Sequence, residues 1–124
     1  MRRVLVVEDD PTIRDIVAQV LRDEGYGVDT AADGAEALAK VRQQPPCAVL
    51  LDLVLPGVDG WAFVEACRRD PRGRAVPIAI ISAADGAASA ARRLPVQGYL
   101  PKPFDLDRLA ATVAALARGT AEAG

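Results

Sequence analysis

Four places in this chain carry residues that could do chemistry together: Glu8-Asp9-Asp10, Asp52, Ser82 and Lys102. Carboxylates held within a few ångströms of one another disfavour mutual ionisation, so an empty cluster of them raises at least one pKa. A hard divalent cation relieves that repulsion. Magnesium, or manganese in its place, takes oxygen ligands and is held by one or two carboxylates plus waters and phosphate oxygens, which suits Glu8, Asp9 and Asp52. The turn Leu53-Val54-Leu55-Pro56-Gly57 offers a backbone carbonyl, that of Val54, as a further ligand. Asp52 is then placed as a nucleophile that forms an aspartyl phosphate. Ser82 offers a hydroxyl to one phosphoryl oxygen and Lys102 a point charge to another. No residue in the set is suited to activating a hydrolytic water, so the expected product is a phosphoprotein that persists.

Those residues need a scaffold that gathers them. Five short apolar runs punctuate the chain: Val4–Val7, Val28–Ala31, Ala48–Leu51, Ile78–Ile81 and Gly98–Leu100. Four are almost wholly apolar, as strands covered on both faces are. The second contains Asp29 and Thr30, which places it at the sheet edge. Helical stripes lie between the runs. Ile13, Ile16, Val17, Val20 and Leu21 form one face of a helix, as do Phe63, Val64 and Cys67, and Leu106, Leu109, Ala110, Val113 and Ala117. Asp10 before Pro11, Asp33 with Glu36, and Asp105 read as N-caps, while Gly25 and Pro71 read as stops. Asp10 is thereby assigned to capping rather than to metal. Trp61, just after Asp59-Gly60, is expected to pack at a helix start. A weaker helix over Ala84–Arg93 is alanine-rich and cut short by Pro95.

Strand–helix alternation five times over predicts an α/β fold, a (βα)5 doubly wound parallel sheet with helices on both faces. In such sheets, sites form beyond the carboxyl ends of the strands. The first strand runs into Glu8-Asp9-Asp10, the third into Asp52, the fourth into Ser82 and the fifth into Lys102-Pro103, all on one rim.

Composition narrows the classes. The 124 residues fit one domain, and 51% hydrophobic with 26% charged residues excludes disorder. A net charge of −2 gives no basic surplus for nucleic acid or anionic membranes. The apolar runs are too short to span a bilayer, and the N-terminal run reaches acidic residues too soon for a signal peptide. Two cysteines, Cys47 and Cys67, read as reduced core thiols of a cytoplasmic protein. The chain has no histidine, which removes the usual general base and most zinc sites.

Taken together and in order, Val6-Val7-Glu8-Asp9-Asp10, Leu51-Asp52-Leu53-Val54-Leu55-Pro56-Gly57-Val58-Asp59-Gly60, Ile80-Ile81-Ser82-Ala83 and Tyr99-Leu100-Pro101-Lys102-Pro103-Phe104 resemble the receiver domain of two-component response regulators, over essentially the whole chain. The resemblance implies the flavodoxin-like strand order 2-1-3-4-5, Glu8 and Asp9 as the acidic metal pair, and Asp52 as phosphoacceptor. It implies Ser82 and Tyr99 as switch residues, Lys102 on the phosphoryl group and a cis bond before Pro103. It also implies a histidine kinase or histidine phosphotransfer protein as donor, which supplies the imidazole this chain lacks. On this reading residues 1–118 form a regulatory domain rather than an enzyme, 119–124 a tail or linker, and 84–100 the output face.

Some features depart from that pattern. Ser82 and Lys102 are 20 positions apart, about two fewer than the family leads one to expect, and Asp85 is the only acid between them. The fourth helix is therefore expected to be short or irregular, which argues against dimerisation through salt bridges on that face. Three other functions compete. A haloacid-dehalogenase-like phosphatase would need a second aspartate at position 54, where valine stands. A flavodoxin-like cofactor binder would need a phosphate cradle where Glu8-Asp9-Asp10 would repel one. A receiver-shaped interaction module working without phosphorylation is separated by magnesium affinity and by its response to a phosphodonor.

Overall fold

The structure is a computed structural model that describes residues 2–53, 60–82, 89, 92, 93 and 95–123, the last five by backbone alone. Five parallel strands, β1 (Arg3–Val7), β2 (Gly27–Ala31), β3 (Ala48–Asp52), β4 (Ile78–Ser82) and β5 (Gly98–Pro101), form one sheet in the order β2-β1-β3-β4-β5. Each strand is one residue longer than its apolar run. Arg3, Gly27, Asp52, Ser82 and Pro101 continue the pairing although their side chains break the apolar pattern. β2 is an edge strand, where Asp29 is bridged by Arg3 at 2.6 Å.

Alternation within the strands divides the core in two. Leu5, Val7, Val49, Leu51 and Ile78 face α2 (Gly34–Gln43) and α3 (Gly60–Arg69), meeting Ala37, Val41, Phe63, Val64 and Cys67. Val4, Val6, Leu50, Ala79, Ile81 and Leu100 face the other way, toward α1 (Pro11–Asp23) and α4 (Leu106–Ala123), meeting Val17, Leu21, Leu109 and Val113. The helix expected over 84–93 lies mostly outside the described residues, although Ser89, Arg92 and Arg93 are helical. α4 continues to Ala123, past the point near 118 where composition suggested a tail.

The caps act as expected. Asp10 accepts from the backbone N–H groups of Thr12 (2.9 Å) and Ile13 (3.1 Å). Asp33 accepts from Glu36 N, and Asp105 from Arg108 N, each at 2.8 Å. Beyond α1, Gly25 takes φ +97° and the Gly25 and Tyr26 N–H groups bond to the carbonyls of Arg22 and Leu21. That is a Schellman stop, and it needs a residue without Cβ strain.

Two stripe positions, Ile16 and Leu106, differ from the reading, and Trp61 is also partly exposed. Ile16 is 50% exposed, Leu106 45% and Trp61 39%. Ile16 and Leu106 lie at the margins of their stripes. With Ile13, Val17, Pro103 and Phe104 they line an open apolar groove of about 360 Å³ beside Lys102. Trp61 precedes the buried stripe of α3, and its ring lies 5.9 Å beneath the Arg93 guanidinium instead of in the core.

Candidate functional site

β1 delivers Glu8 to the rim. Its N–H still pairs with Ala31 O at 3.0 Å, so the backbone is held as strand while the carboxylate is fully buried. Arg14, one turn into α1, donates from Nη1 to Glu8 O at 3.0 Å and pins the same turn from above. Asp9, next along, is exposed. Asp52 closes β3 and is nearly buried. Gly60, the first residue of α3, packs against it. A Cβ there would stand 2.6 Å from Leu53 Cα and 2.8 Å from Asp52 O. The glycine is therefore what lets α3 begin so close to the backbone of Asp52.

Lys102 arrives from the opposite end of the sheet. Its N–H donates to Ser82 O at 3.2 Å, and the Lys102–Pro103 bond is cis. Its Nζ donates to Glu8 Oε1 at 2.5 Å and to Asp52 Oδ2 at 2.9 Å. One ammonium thus bridges two buried carboxylates that stand on different strands. Burial disfavours charging Lys102, yet its bonds to Glu8 and Asp52 outweigh that and hold its pKa above the ordinary lysine value.

Glu8 is pushed up from 4.5 to about 7. Burial is the largest cause, and the neighbouring Asp52 carboxylate adds to it by hydrogen bonding and by charge, while Lys102 pulls the other way. Glu8 Oε2 is buried and has no hydrogen-bond partner among the described residues. A buried acceptor in that condition costs about 1–3 kcal/mol, more when charged. One oxygen from each of Glu8, Asp9 and Asp52 lies within 4.8 Å of the others. Against these three carboxyl groups, Glu8 and Asp52 share the single ammonium of Lys102, so the site is short of positive charge. An orphaned carboxylate oxygen in an all-oxygen donor set is what a hard divalent cation would satisfy, so the residues fit magnesium.

Ser82 ends β4 and is buried. Because Asp52 pairs with Ile81, Ser82 stands one position beyond the aspartate on the adjacent strand. Tyr99 lies opposite Ile80, half-buried against Ile80 and Leu53, apart from the carboxylates. Val54, whose carbonyl was expected to ligate the metal, lies outside the described residues. The structure therefore gathers Glu8, Asp9, Asp52 and Lys102. It puts Ser82 on the adjoining strand end and gives Asp10 to helix capping.

Sequence reasoning did not pick out Arg14. It acts through a backbone carbonyl, and carbonyl positions leave no mark in a pattern of residue types. Pro11-Thr12-Ile13-Arg14 at least put an arginine in the first helical turn beside the acidic pair.

Comparison with known proteins decides the family. The profile of the response regulator receiver domain matches residues 4–114. The chain belongs to the response-regulator receiver family. It is 37% identical over 122 residues to the DNA-binding dual master transcriptional regulator RpaA of Synechocystis, covering 97% of this chain and 51% of that protein. The receiver spans about half the length of the curated relatives it matches. In structure it is similar to a putative response regulator from Chloroflexus aurantiacus, with TM-score 0.89 and 32% identity over 94% of this chain and 98% of that one. It is also similar to the receiver domain of the sensor histidine kinase PA1611 from Pseudomonas aeruginosa, with TM-score 0.87 and 30% identity over 94% and 97% of the two chains. That structure holds a magnesium ion coordinated in its active-site cleft. The chain is thus a regulatory domain of two-component signal transduction. Among the described residues, no helix is long and apolar enough to cross a membrane.

Proposed function

We propose that this receiver accepts a phosphoryl group on Asp52 from a phosphohistidine of a sensor kinase or phosphotransfer protein. The observation that carries the reading is the bridge from Lys102 to Glu8 and Asp52, with Asp9 beside it, all at the carboxyl ends of the strands. In the transfer, the donor's P–N bond breaks and an Asp52 Oδ–P bond forms, the imidazole leaving with its electron pair. Lys102 already lies against Asp52 Oδ2, so its ammonium is in place for the charge that gathers on the phosphoryl oxygens. Glu8 and Asp9, with Asp52 itself and the carbonyl of Val54, would hold magnesium. When bound, the ion neutralises phosphoryl oxygens and the clustered carboxylates. Glu8 keeps Lys102 aimed at Asp52.

Ser82 and Tyr99 then carry the signal. The hydroxyl at the end of β4 meets the new phosphoryl group, and Tyr99, packed on Ile80 of the same strand pair, repacks toward it. The readout face is 84–100, and residues 1–118 form the receiver. Among the described residues no side chain at this site is placed to activate water, which favours a phosphoryl group that persists long enough to signal.

The test is intact mass after incubation with acetyl phosphate and magnesium. One phosphate adduct is expected that vanishes in Asp52→Asn and with excess EDTA. A folded, magnesium-saturated protein that gains no adduct from acetyl phosphate or from a phosphorylated kinase would overturn the proposal in favour of a module that signals by binding alone.

A further inference from the structure

β5 is the least secured strand of the sheet. It is four residues long, begins with Gly98, ends with Pro101 and lies at an edge. Proline has no N–H for the ladder, and glycine adds no packing side chain. Yet β5 must deliver Lys102 to Asp52. A slip of one residue would turn every side chain of the strand to the other face. The site end is tied by Lys102 N–H to Ser82 O at 3.2 Å. At the other end the tie is a side-chain network.

Arg68, in the last turn of α3, donates from Nε to Pro95 O at 2.9 Å and from Nη2 to Gln97 Oε1 at 3.3 Å. Its Nη1 faces the carbonyls of Val76 at 2.9 Å and of Gly73 and Arg74 at 3.2 Å. Gln97 passes the constraint to β4. Its Oε1 accepts from Ile78 N at 2.8 Å, and its own N–H donates to Ile78 O at 2.8 Å. The first residue of β4 is thus held on both backbone groups by the residue that precedes β5. A planar guanidinium with several donors can span this set, and an ammonium cannot.

We infer that Arg68, acting through Gln97, sets the register of β5 and is a positioning residue for Lys102, at the pole of the sheet opposite the site. The inference rests on the phosphoacceptor reading of Asp52 and Lys102. It separates two affinities that a general loss of stability would move together. The metal carboxylates stand just beyond β1 and at the end of β3, whereas the phosphoryl contact of Lys102 depends on β5.

The test compares wild type, Arg68→Met, Gln97→Leu, Gln97→Glu and Lys102→Met at a temperature where circular dichroism shows each one folded. Magnesium binding is measured by calorimetry, and beryllofluoride binding, a mimic of the phosphoryl group, by fluorine NMR. Arg68→Met and Gln97→Leu are expected to weaken beryllofluoride by tenfold or more, within the ~100-fold that an ångström of misplacement can cost. Magnesium affinity should not fall, and Gln97→Glu, which keeps the acceptor, should stay close to wild type. If Arg68→Met does not fold, Gln97→Leu carries the comparison. Equal losses of both ligands, or no loss of beryllofluoride, would overturn the role of Arg68. Wild type that fails to bind beryllofluoride, or Lys102→Met that binds it as well as wild type, would overturn the phosphoacceptor reading itself.

Discussion

Glu8 sits where three forces meet: burial, a neighbouring carboxylate and a lysine. Burial and Asp52 together exceed the pull of Lys102, which leaves Glu8 titrating near 7 instead of 4.5. The folded, metal-free protein therefore holds a proton across that interval that the unfolded chain has released. More protons in the folded state mean that stability falls as pH rises from about 4.5 to about 7, then levels off. Urea unfolding in EDTA should show this fall, and Glu8→Gln should show a shallower one. Equal slopes for the two proteins would contradict the assignment. Magnesium competes with that proton for the same oxygens, so its affinity should climb through the same interval. Types and spacing alone made Glu8, Asp9, Asp52 and Lys102 legible as a set. That one lysine would bridge Glu8 and Asp52, leaving Glu8 Oε2 unpartnered, was not, because it depends on where two side chains end in space.

Among the elements, the start of α3 shows most directly how a backbone contact serves the site. Gly60 N–H donates to Leu53 O at 3.2 Å, and no side chain fits between the helix and the end of β3. Gly60→Ala is expected to cost roughly 1–3 kcal/mol, as overpacking does, and to slow phosphorylation of Asp52 by displacing its backbone. Denaturant midpoints and the rate of adduct formation from acetyl phosphate check both effects. A variant with unchanged rate would show that Asp52 is placed independently of α3. Removing the Asp10 cap should by contrast cost about 1 kcal/mol through α1 and leave the adduct rate close to wild type. The caps, the stops and the edge position of β2 were readable because each follows from local chemistry: a carboxylate before a helix, a glycine after it, Asp29 and Thr30 in a strand. The extra residue on each strand was not, since pairing continues where polarity changes. Trp61 packs under Arg93 at the start of α3, as a residue just ahead of the Phe63-Val64-Cys67 stripe can.

At the scale of the whole molecule, one sheet separates two cores, and β1, β2, β3 and β4 each contribute to both. Phe63 belongs to one core and Leu109 to the other. Truncating either to alanine should cost about 2–5 kcal/mol. Both variants should still unfold in a single transition, because neither core persists without the shared strands. Circular dichroism and the emission of Trp61, the sole tryptophan, should give coincident curves. Separate midpoints would mean that the α2–α3 layer melts on its own. Strand order and the sharing of helices between two faces were accessible from the alternation of elements and from family resemblance. The bracing of β5 by Arg68 was not, since its acceptors come from segments that only the fold brings together.

The central claim is that Asp52 carries the phosphoryl group. The most direct measurement is borohydride reduction of the protein after treatment with acetyl phosphate and magnesium, followed by peptide mass mapping. Reduction converts an aspartyl phosphate to homoserine, so the account predicts homoserine at position 52 and nowhere else. Homoserine at Asp9 or another carboxylate, or a phosphate adduct that survives borohydride on a hydroxyl such as that of Ser82, would contradict it.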